Sequence, residues 1–437
     1  MVDARGRTSY HEGRPPAPHR TNLSSALQPF PVASCRLIAL ALLLAGLNPT
    51  QGIGQPWIQT EAIFSAEPWH NHASCLVQTR RGDLLACWFH GSGERKSDDV
   101  RIEGARLQKG DRKWTPRFLL ADTPDYPDCN PCFLIDEHNT LWLFHTTILA
   151  HTWESALLKY HCADHWEGRG SPVWTREGLV HISPGIPFVE AISNAVPHIE
   201  AGLTNAQWSE KTRGEVIADL WAMKVHSTNE LYRRLGWMPR AHPMQLGHRI
   251  LLPLYHDGFS VSMIGISDDG GTHWHCSHPL IGGGNIQPSL TRRRDGTLVA
   301  WMRDNGPPPH RVMSSESRDQ GETWSPVTDT RLPNPGSGVE ALVLRSGDWL
   351  FIGNDSESGR HSLSVWRSPD EGRTWPFRTT LENDPAEKAS FSYPSLIQSR
   401  DGTLHATYSV AEGNGTSFIR HAHWNEEWIQ AHQVPEP

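Results

Sequence analysis

Two histidines stand two residues apart in the segment EPWHNHASCLVQTRRGDLLACW (Glu67 to Trp88), which has the pattern of a strand, a turn and a second strand. Side chains alternate between the two faces of a strand, so His70 and His72 are expected to point the same way. An imidazole can act as a base near neutral pH, or it can lie on a polar edge without a chemical role. A metal site is not predicted here, because no third ligand accompanies the pair.

The composition indicates which elements must position these side chains. The chain has 437 residues, with 19 Trp, 37 Gly and 33 Pro, and only 20% of its residues are charged. Such a mixture is typical of many short strands joined by tight turns. The formal net charge is −8, so nothing suggests a basic surface and no nucleic-acid partner is predicted.

Residues 1–52 are interpreted as a disordered N-terminal extension followed by a signal peptide. The run CRLIALALLLAGLNPTQG (Cys35 to Gly52) has one Arg, an apolar stretch and then small and turn residues. This stretch is too short to span a bilayer comfortably, so no membrane insertion beyond the signal peptide is predicted. The expected location is therefore secreted or periplasmic. Cleavage would leave six cysteines, an even number that permits disulfides outside the cytosol.

Internal repetition is the strongest pattern in the remaining residues, 53–437. Three segments share one template: SDDGGTHW (267–274), SRDQGETW (317–324) and SPDEGRTW (368–375), which begin 50 and 51 residues apart. In each segment the Asp can accept hydrogen bonds from the N–H groups of a turn. The Gly can supply a positive φ angle, and the Trp can pack beneath the loop.

A second pattern, a turn followed by an apolar strand, begins near residues 80, 136, 246, 294, 345 and 400. Four strands in about 50 residues suit one propeller blade, so six occurrences predict an all-β, six-bladed β-propeller over 53–437. The long gap after the second occurrence predicts a partly helical insertion at about 154–240. The segment from Asn205 to Trp237 is its helical part.

A Ser-x-Asp-x-Gly-x-Thr-Trp repeat in a six-bladed pattern resembles the Asp-box or BNR repeat of the sialidase superfamily. The resemblance extends over residues 57–428. In that superfamily three arginines bind the carboxylate of sialic acid, a tyrosine paired with a glutamate is the nucleophile, and an aspartate is the acid/base. The repeats themselves are structural turns, so the function must be argued from the site.

The resemblance implies roles for five residues of this chain. Arg303, in TLVAWMRDNG, and Arg360, in SESGRHSLSVW, match the positions of two carboxylate-binding arginines. Tyr393, in FSYPSLIQ, matches the nucleophile, and Asp98 or Asp99, in RKSDDVRIEG, matches the acid/base. No cofactor is implied.

Two positions depart from the superfamily pattern. The first arginine falls on His72, and the glutamate that should activate the tyrosine falls near Ile286 and Gln287. A neutral imidazole or amide cannot repeat those charged roles. A tyrosine without its glutamate has an ordinary pKa near 10 and is a poor nucleophile, while the anion-binding pocket is retained.

The altered set also suits an elimination reaction. Two arginines that neutralise the carboxylate of a uronic acid make the neighbouring C5 proton more acidic. His72 is then the expected base and Tyr393 the proton donor. His256, in PLYHDGFS, is a candidate second acid/base, and Gln287 a candidate ligand of a sugar hydroxyl. His70 is retained as a candidate substrate-binding residue.

The sequence therefore predicts a secreted, sialidase-related enzyme that acts on the terminal acidic sugar of an oligosaccharide or glycan by hydrolysis. One alternative is a polysaccharide lyase of the type that releases rhamnose from glucuronate. The other is a propeller that binds glycans without catalysis. These alternatives stay open on the sequence alone.

Overall fold

Twenty-four β-strands form six four-stranded antiparallel sheets in the computed structural model, which describes residues 55–203 and 209–434. Five of the sheets contain four strands that are consecutive in the chain, which is the meander of a propeller blade. The predicted all-β, six-bladed propeller is thus confirmed for these residues. The predicted N-terminal extension and signal peptide, residues 1–52, lie outside the described residues.

The first strand of the chain, β1 (Ile58–Ala62), belongs to the last blade. Blade 1 contains β2 (His70–Gln78), β3 (Leu84–Gly91), β4 (Arg101–Leu107) and β5 (Phe118–Ala121). Blade 2 contains β6 (Asp128–Ile135), β7 (Leu141–Ile148), β8 (Ala156–Ala163) and β9 (Arg176–Leu179). Blade 3 contains β10 (Met244–Leu246), β11 (Arg249–His256), β12 (Val261–Ser267) and β13 (His275–Cys276).

Blade 4 contains β14 (Asn285–Arg292), β15 (Leu298–Asp304), β16 (Arg311–Ser317) and β17 (Thr328–Pro333). Blade 5 contains β18 (Glu340–Val343), β19 (Trp349–Gly353), β20 (Ser362–Ser368) and β21 (Phe377–Asn383). Blade 6 contains β22 (Ser390–Gln398), β23 (Leu404–Ala411), β24 (Ser417–Trp424) and β1. Because β1 pairs with β24, strands from the two ends of the propeller share one sheet and close the ring.

The three Ser-x-Asp-x-Gly segments connect the third and fourth strands of blades 3, 4 and 5. Their glycines have positive φ; Gly271 and Gly372 lie against tryptophan rings and Gly321 against leucine side chains. A Cβ on Gly372 would lie 2.7 Å from both Trp301 and Trp349, so no larger residue fits without a shift. The Trp301 ring packs edge to face against Trp349, Trp375 and Phe351 in the core between blades 4 and 5.

Four α-helices lie in the described residues: α1 (Ile186–Leu203), α2 (Glu210–Thr228), α3 (Glu230–Arg234) and α4 (Glu426–Ala431). The helical insertion is narrower than predicted, because β8 and β9 complete blade 2 before α1 begins. The α1 helix was not predicted; its residues Phe188, Ile192 and Val196 are one turn apart and are buried against the propeller core. None of the described helices is both long enough and apolar enough to cross a bilayer.

Candidate active site

The innermost strands of four blades share a β-bulge, and these bulges shape the centre of the propeller. Each bulge contains one non-glycine residue with a φ of 52–56°: Ala73, Asn130, Gln287 and Tyr393. A bulge bends its strand and re-aims a side chain, and a positive φ in a residue other than glycine is strained. Such strain is typical of functional sites, and three of the four residues line one central cavity.

All six blades contribute to this cavity, whose volume is about 260 Å³. Its walls come from the bulges of the inner strands and from the loops between the second and third strands. The lining residues are His72, Phe89, Glu94, Asn130, Trp153, Tyr255, Asp257, Gln287, Arg303, Asn305, Arg360 and Tyr393. The structure thus brings together His72, Gln287, Arg303, Arg360 and Tyr393, five of the nine predicted site residues.

The hydroxyl oxygen of Tyr393 accepts hydrogen bonds from two side chains. Arg303 donates from Nη1 at 2.7 Å, and Gln287 donates from Nε2 at 3.0 Å. Burial alone would lower the pKa of Arg303, but its interactions with Tyr393 and Asp257 raise it above the ordinary value. The guanidinium therefore stays charged and is placed to stabilise negative charge that develops on the phenol oxygen.

Arg303 and Arg360 have no carboxylate within ion-pair distance among the described residues. Asp304 and Asp355, the acidic residues near them in the sequence, are engaged elsewhere: Asp304 accepts from backbone N–H groups, and Asp355 pairs with Arg378. The guanidinium carbon of Arg360 lies 5.6 Å from the centre of the Tyr393 ring. Two charged groups without an acidic partner on one cavity wall form a receptor for an anion.

A third arginine, Arg240, was missed by the sequence analysis. It is buried beneath the cavity, with its guanidinium carbon 5.2 Å from the centre of the Tyr393 ring, and it donates to the carbonyl of Pro394. It precedes the inner strand of blade 3, far in sequence from the other two arginines. Its contribution is positive potential under the phenol ring rather than direct lining of the cavity.

His72 lies on the cavity wall with its ring centre 4.2 Å from that of Tyr393. Burial lowers the pKa of His72 well below its ordinary value, so the imidazole is neutral and its surroundings oppose its protonation. His70 lies outside the cavity lining, and its Nε2 pairs with Glu94 at 3.2 Å. Burial would raise the pKa of Glu94, but the hydrogen bond from His70 lowers it to about 2. Glu94 is therefore an anion in the wall.

The structure does not bring Asp98 or Asp99 into the cavity lining, in contrast to the prediction. Asp98 pairs with His151 at 2.6 Å, and both side chains are about half exposed. Asp99 accepts hydrogen bonds from the backbone N–H and the hydroxyl of Ser92 and so closes the loop between β3 and β4 on itself. The acidic residue of this loop that lines the cavity is Glu94.

His256 is likewise outside the cavity lining, while the next residue, Asp257, is part of it. His256 is fully buried between the rings of Trp237 and Phe259, accepts the N–H of Phe259, and burial lowers its pKa to about 4. Burial raises the pKa of Asp257 to about 6 although Arg303 opposes the shift. Asp257 can therefore carry a proton near neutral pH, as a general acid requires.

Asn130 is a further cavity residue that was not predicted, although a sequence pattern shared with Gln287 and Tyr393 indicates it. It donates to the hydroxyl of Tyr255 at 3.2 Å and lies in the sequence CNPC, residues 129–132. The same bulge recurs as IQPS around Gln287 and SYPS around Tyr393, so a polar residue followed by Pro marks the cavity. Cys129 and Cys132 are buried free thiols, and burial raises the pKa of both.

Comparison with known proteins agrees with this architecture. Residues 82–204 and 206–406 match the BNR repeat-like domain. A sialidase from Micromonospora viridifaciens is 24% identical over 425 residues, covering 89% of this chain and 58% of that protein. The chain thus spans less than two thirds of the length of this relative.

Two solved structures show the same fold. A protein of unknown function from Dyadobacter fermentans superposes with a TM-score of 0.62 at 15% identity, covering 84% of this chain and 99% of that one. The intramolecular trans-sialidase from Ruminococcus gnavus superposes with a TM-score of 0.61 at 12% identity, covering 84% of this chain and 96% of that one. At these identities the similarity shows the fold alone.

Proposed function

The chain belongs to the BNR repeat-like family, as its repeats predicted, and from this premise we propose that it is a sialidase-related enzyme acting on a terminal acidic sugar by hydrolysis. The proposal depends above all on one observation: Arg303 and Arg360 line the same small cavity as Tyr393 without a carboxylate partner among the described residues. A cavity of about 260 Å³ suits one terminal sugar unit, which supports exo action.

In the proposed mechanism the two arginines bind the sugar carboxylate and orient the anomeric carbon toward the Tyr393 oxygen. Asp257 donates its proton to the glycosidic oxygen as the bond to the leaving group breaks. The Tyr393 oxygen bonds to the anomeric carbon while its own proton passes to the neutral imidazole of His72. Water then attacks the anomeric carbon and gives a proton to the Asp257 carboxylate. The bond to the Tyr393 oxygen breaks, and that oxygen takes its proton back from His72 as the sugar is released.

A second function is elimination from a uronic acid that carries the leaving sugar on its C4 oxygen, and the amide at position 287 favours it. Gln287 donates to Tyr393 and cannot accept its proton as a carboxylate would. In this mechanism His72 removes the C5 proton, the electrons of that bond form a C4–C5 double bond, and the C4–O bond breaks. Tyr393 protonates the departing oxygen. Both reactions use the two arginines, His72 and Tyr393, so the product is what distinguishes them.

The test is to incubate the full chain with sialyl and with uronosyl oligosaccharides and to analyse the products by mass spectrometry in heavy-oxygen water. Released sugar that contains the heavy oxygen supports hydrolysis. A product that absorbs in the ultraviolet as an unsaturated uronate supports elimination and overturns hydrolysis. Saturable binding without either product overturns both and leaves a glycan-binding propeller.

A Tyr393→Phe variant tests the assigned centre. Loss of the hydroxyl should lower kcat/KM by about 10²–10⁴-fold whichever reaction operates, because Tyr393 acts in both. Tyr160→Phe, which changes a tyrosine in β8 of blade 2, is the matched control and should retain activity. Equal activity of the two variants would remove Tyr393 from the mechanism.

We also propose that the protein is exported, with acidic glycans outside the cytosol as its substrate. The apolar run in residues 35–52 supports this proposal. Expression of the full chain in a bacterial host with separate assay of culture fluid, periplasm and cytosol tests it. Mass spectrometry of the N-terminus should find cleavage after this run, whereas an intact chain in the cytosol would contradict export.

A further inference from the structure

Three imidazoles lie on one face of blade 6, away from the residues that line the central cavity. His405 is in β23, and His421 and His423 are in β24. One ring nitrogen of each lies within 4.8 Å of one ring nitrogen of each of the other two. Neither proposed reaction uses these residues.

The sheet register forces this arrangement. His405 is directly opposite His423, and His421 is two residues before His423 in the same strand. Residues opposite one another in antiparallel strands, and residues two apart in one strand, share a face. The Nδ1 of His405 is 3.0 Å from the Nε2 of His421, so the two nitrogens share one proton.

Two residues of β1 set which nitrogens have free lone pairs. Glu61 is opposite His421, and its carboxylate accepts from Nδ1 at 3.2 Å. Gln59 is opposite His423, and its amide oxygen accepts from Nε2 at 3.0 Å. These bonds leave lone pairs on Nε2 of His421 and Nδ1 of His423. A carboxylate or amide behind an imidazole is the usual outer partner of a metal-bound histidine.

The Glu61 carboxylate is itself held by Trp114 of blade 1, whose indole N–H donates to it at 3.0 Å. The Trp114 ring also packs edge to face against His421, with ring centres 5.2 Å apart. The cluster is therefore preorganised at the junction of blades 6 and 1. His405 and His421 are buried, and the partly exposed ring of His423 leaves a route for solvent and ions.

We propose that His405, His421 and His423 bind a divalent transition-metal ion, with Zn²⁺ as the expected ion. Imidazole suits this class of metal, and three imidazoles with an open fourth position are a known zinc arrangement. Zn–N bonds of about 2.0–2.1 Å in a tetrahedral site need nitrogens about 3.3 Å apart, so the 3.0 Å pair has to open only slightly. The shared proton moves to Nε2 of His405 as the metal takes its place.

The site would join β23 and β24 next to the strand that closes the ring. Metal bound there would therefore stabilise the blade in which the two ends of the propeller meet. This role is independent of the proposed catalysis, because none of the three histidines lines the central cavity.

The experiment titrates the chelator-treated full chain with Zn²⁺ by calorimetry and measures bound zinc after dialysis. We expect about one zinc per chain and a higher Tm with zinc than without. His423→Gln, at the partly exposed position, should lower the affinity at least about tenfold while the apo protein stays folded. Glu61→Gln keeps all three ligands and should lower the affinity about 10–100-fold.

His165→Gln, which changes an exposed histidine after β8 in blade 2, is the matched control and should bind zinc as the wild type does. Cobalt in place of zinc should give the absorption bands of a four-coordinate site, and these bands should be lost in His423→Gln. Less than about 0.2 zinc per chain, or equal affinity in the wild type and His423→Gln, would overturn the proposal. Sialoside or uronoside turnover does not enter either measurement.

Discussion

At the scale of single residues, the cavity departs from the superfamily pattern at His72 and at Gln287, and the departure at Gln287 acts directly on Tyr393. Position 287 carries an amide nitrogen that donates to the Tyr393 hydroxyl at 3.0 Å, where the superfamily pattern has a carboxylate that would accept from it. Donation and acceptance have opposite effects on a nucleophile, because only an acceptor can remove the phenol proton.

Gln287→Glu should therefore raise the rate of sialoside hydrolysis by at least about tenfold, because the new carboxylate lies within reach of the phenol proton. The measurement is kcat/KM on a sialyl oligosaccharide. Gln287→Asn, whose amide is too short to reach the hydroxyl, is the control and should show no gain. A gain in unsaturated product instead of free sialic acid would contradict the hydrolytic mechanism.

Ionisation of Asp257 should lower both the stability of the fold and the activity as the pH rises. Burial raises its pKa from 3.8 to about 6, so the folded state resists ionisation that the unfolded chain accepts. Stability from this residue is highest below pH 3.8, falls between pH 3.8 and 6, and is lowest above pH 6. Catalysis by the protonated form falls as pH rises through about 6.

Asp257→Asn should consequently raise Tm relative to the wild type at pH 7.5, and this difference should disappear near pH 3.5. The variant should also lose the activity that depends on the protonated Asp257. Thermal unfolding at several pH values and the pH profile of kcat/KM measure the two effects. Asp98→Asn, at the exposed aspartate paired with His151, is the control and should change neither profile. A Tm difference that is independent of pH would contradict the assignment.

At the scale of elements, the Ser-x-Asp-x-Gly turns hold the outer strands of blades 3 to 5. In blade 4, Asp319 accepts from the N–H of Thr323 at 2.9 Å and the hydroxyl of Ser317 at 2.7 Å. Ser317 in turn accepts the N–H of Gly321 at 2.9 Å. The turn joins the third and fourth strands, on the side of the blade away from the cavity-lining loops.

Asp319→Ala should lower the free energy of unfolding by about 1–2 kcal/mol, because three N–H or O–H donors lose a charged acceptor. Activity should be unchanged, since no residue of this turn lines the cavity. Arg318→Ala, at the exposed neighbour in the same turn, should stay within about 0.5 kcal/mol of the wild type. Chemical denaturation measures both, and equal stabilities would show that the turn is held by other contacts.

The inner strands of four blades are shaped by β-bulges, which direct side chains into the cavity. Their bulges recur at the same depth in blades 1, 2, 4 and 6, and in three of them the bulged residue is polar and followed by Pro. A regular strand would alternate its side chains between two faces, so the bulge is what turns Asn130, Gln287 and Tyr393 toward the axis. The element, rather than any one residue, creates the cavity.

At the scale of the whole molecule, one buried network joins four blades below the cavity. His242, before β10 of blade 3, lies 3.2 Å from the thiol of Cys75 in blade 1 and 2.6 Å from Glu340 in blade 5. Glu340 also accepts the N–H of Leu396 in blade 6 at 2.8 Å. Burial lowers the pKa of His242, but Cys75 and Glu340 raise it well above its ordinary value of 6.5.

The sign of the pH dependence follows from the two pKa shifts. The contribution of His242 is complete below pH 6.5 and is lost as pH rises through its higher folded-state pKa. Burial alone would raise the pKa of Glu340, but the interaction with His242 outweighs burial, and the pKa is lowered below its ordinary value of 4.5. The contribution of Glu340 is therefore complete above pH 4.5 and is lost in acid. The pair stabilises the ring most between pH 4.5 and 6.5.

Glu340→Gln should lower the free energy of unfolding by about 3 kcal/mol at pH 6, because it leaves a buried imidazolium without its partner. The loss should shrink at alkaline pH, where the wild-type pair is also weakened. Glu137→Gln breaks a pair of the same 2.6 Å length to the exposed His248 and should cost less than about 1 kcal/mol. Denaturation curves at pH 6 and pH 9 compare them, and equal effects would show that burial is unimportant.

The fold could be predicted from the sequence, because a turn followed by an apolar strand recurs once in each blade and the Ser-x-Asp-x-Gly segment recurs in three blades at regular local spacing. It also indicated His72, Gln287, Arg303, Arg360 and Tyr393, which the structure places in one cavity. These residues sit in inner strands or strand-end loops, whose position in a blade follows from the repeat.

Only the tertiary structure decided which acidic residues line the cavity. His256 and Asp257 are adjacent, so a shift of one residue reverses which side chain points to the axis. Glu94 lies in the same loop as the predicted Asp98 and Asp99, and the sequence pattern does not specify the path of that loop. Arg240 reaches Tyr393 and Pro394 through contacts between segments far apart in the chain, and the local spacing of residues does not specify such contacts. The cluster of His405, His421 and His423 depends on the register of β23 against β24 and on Glu61 and Gln59, which join it only once β1 pairs with β24.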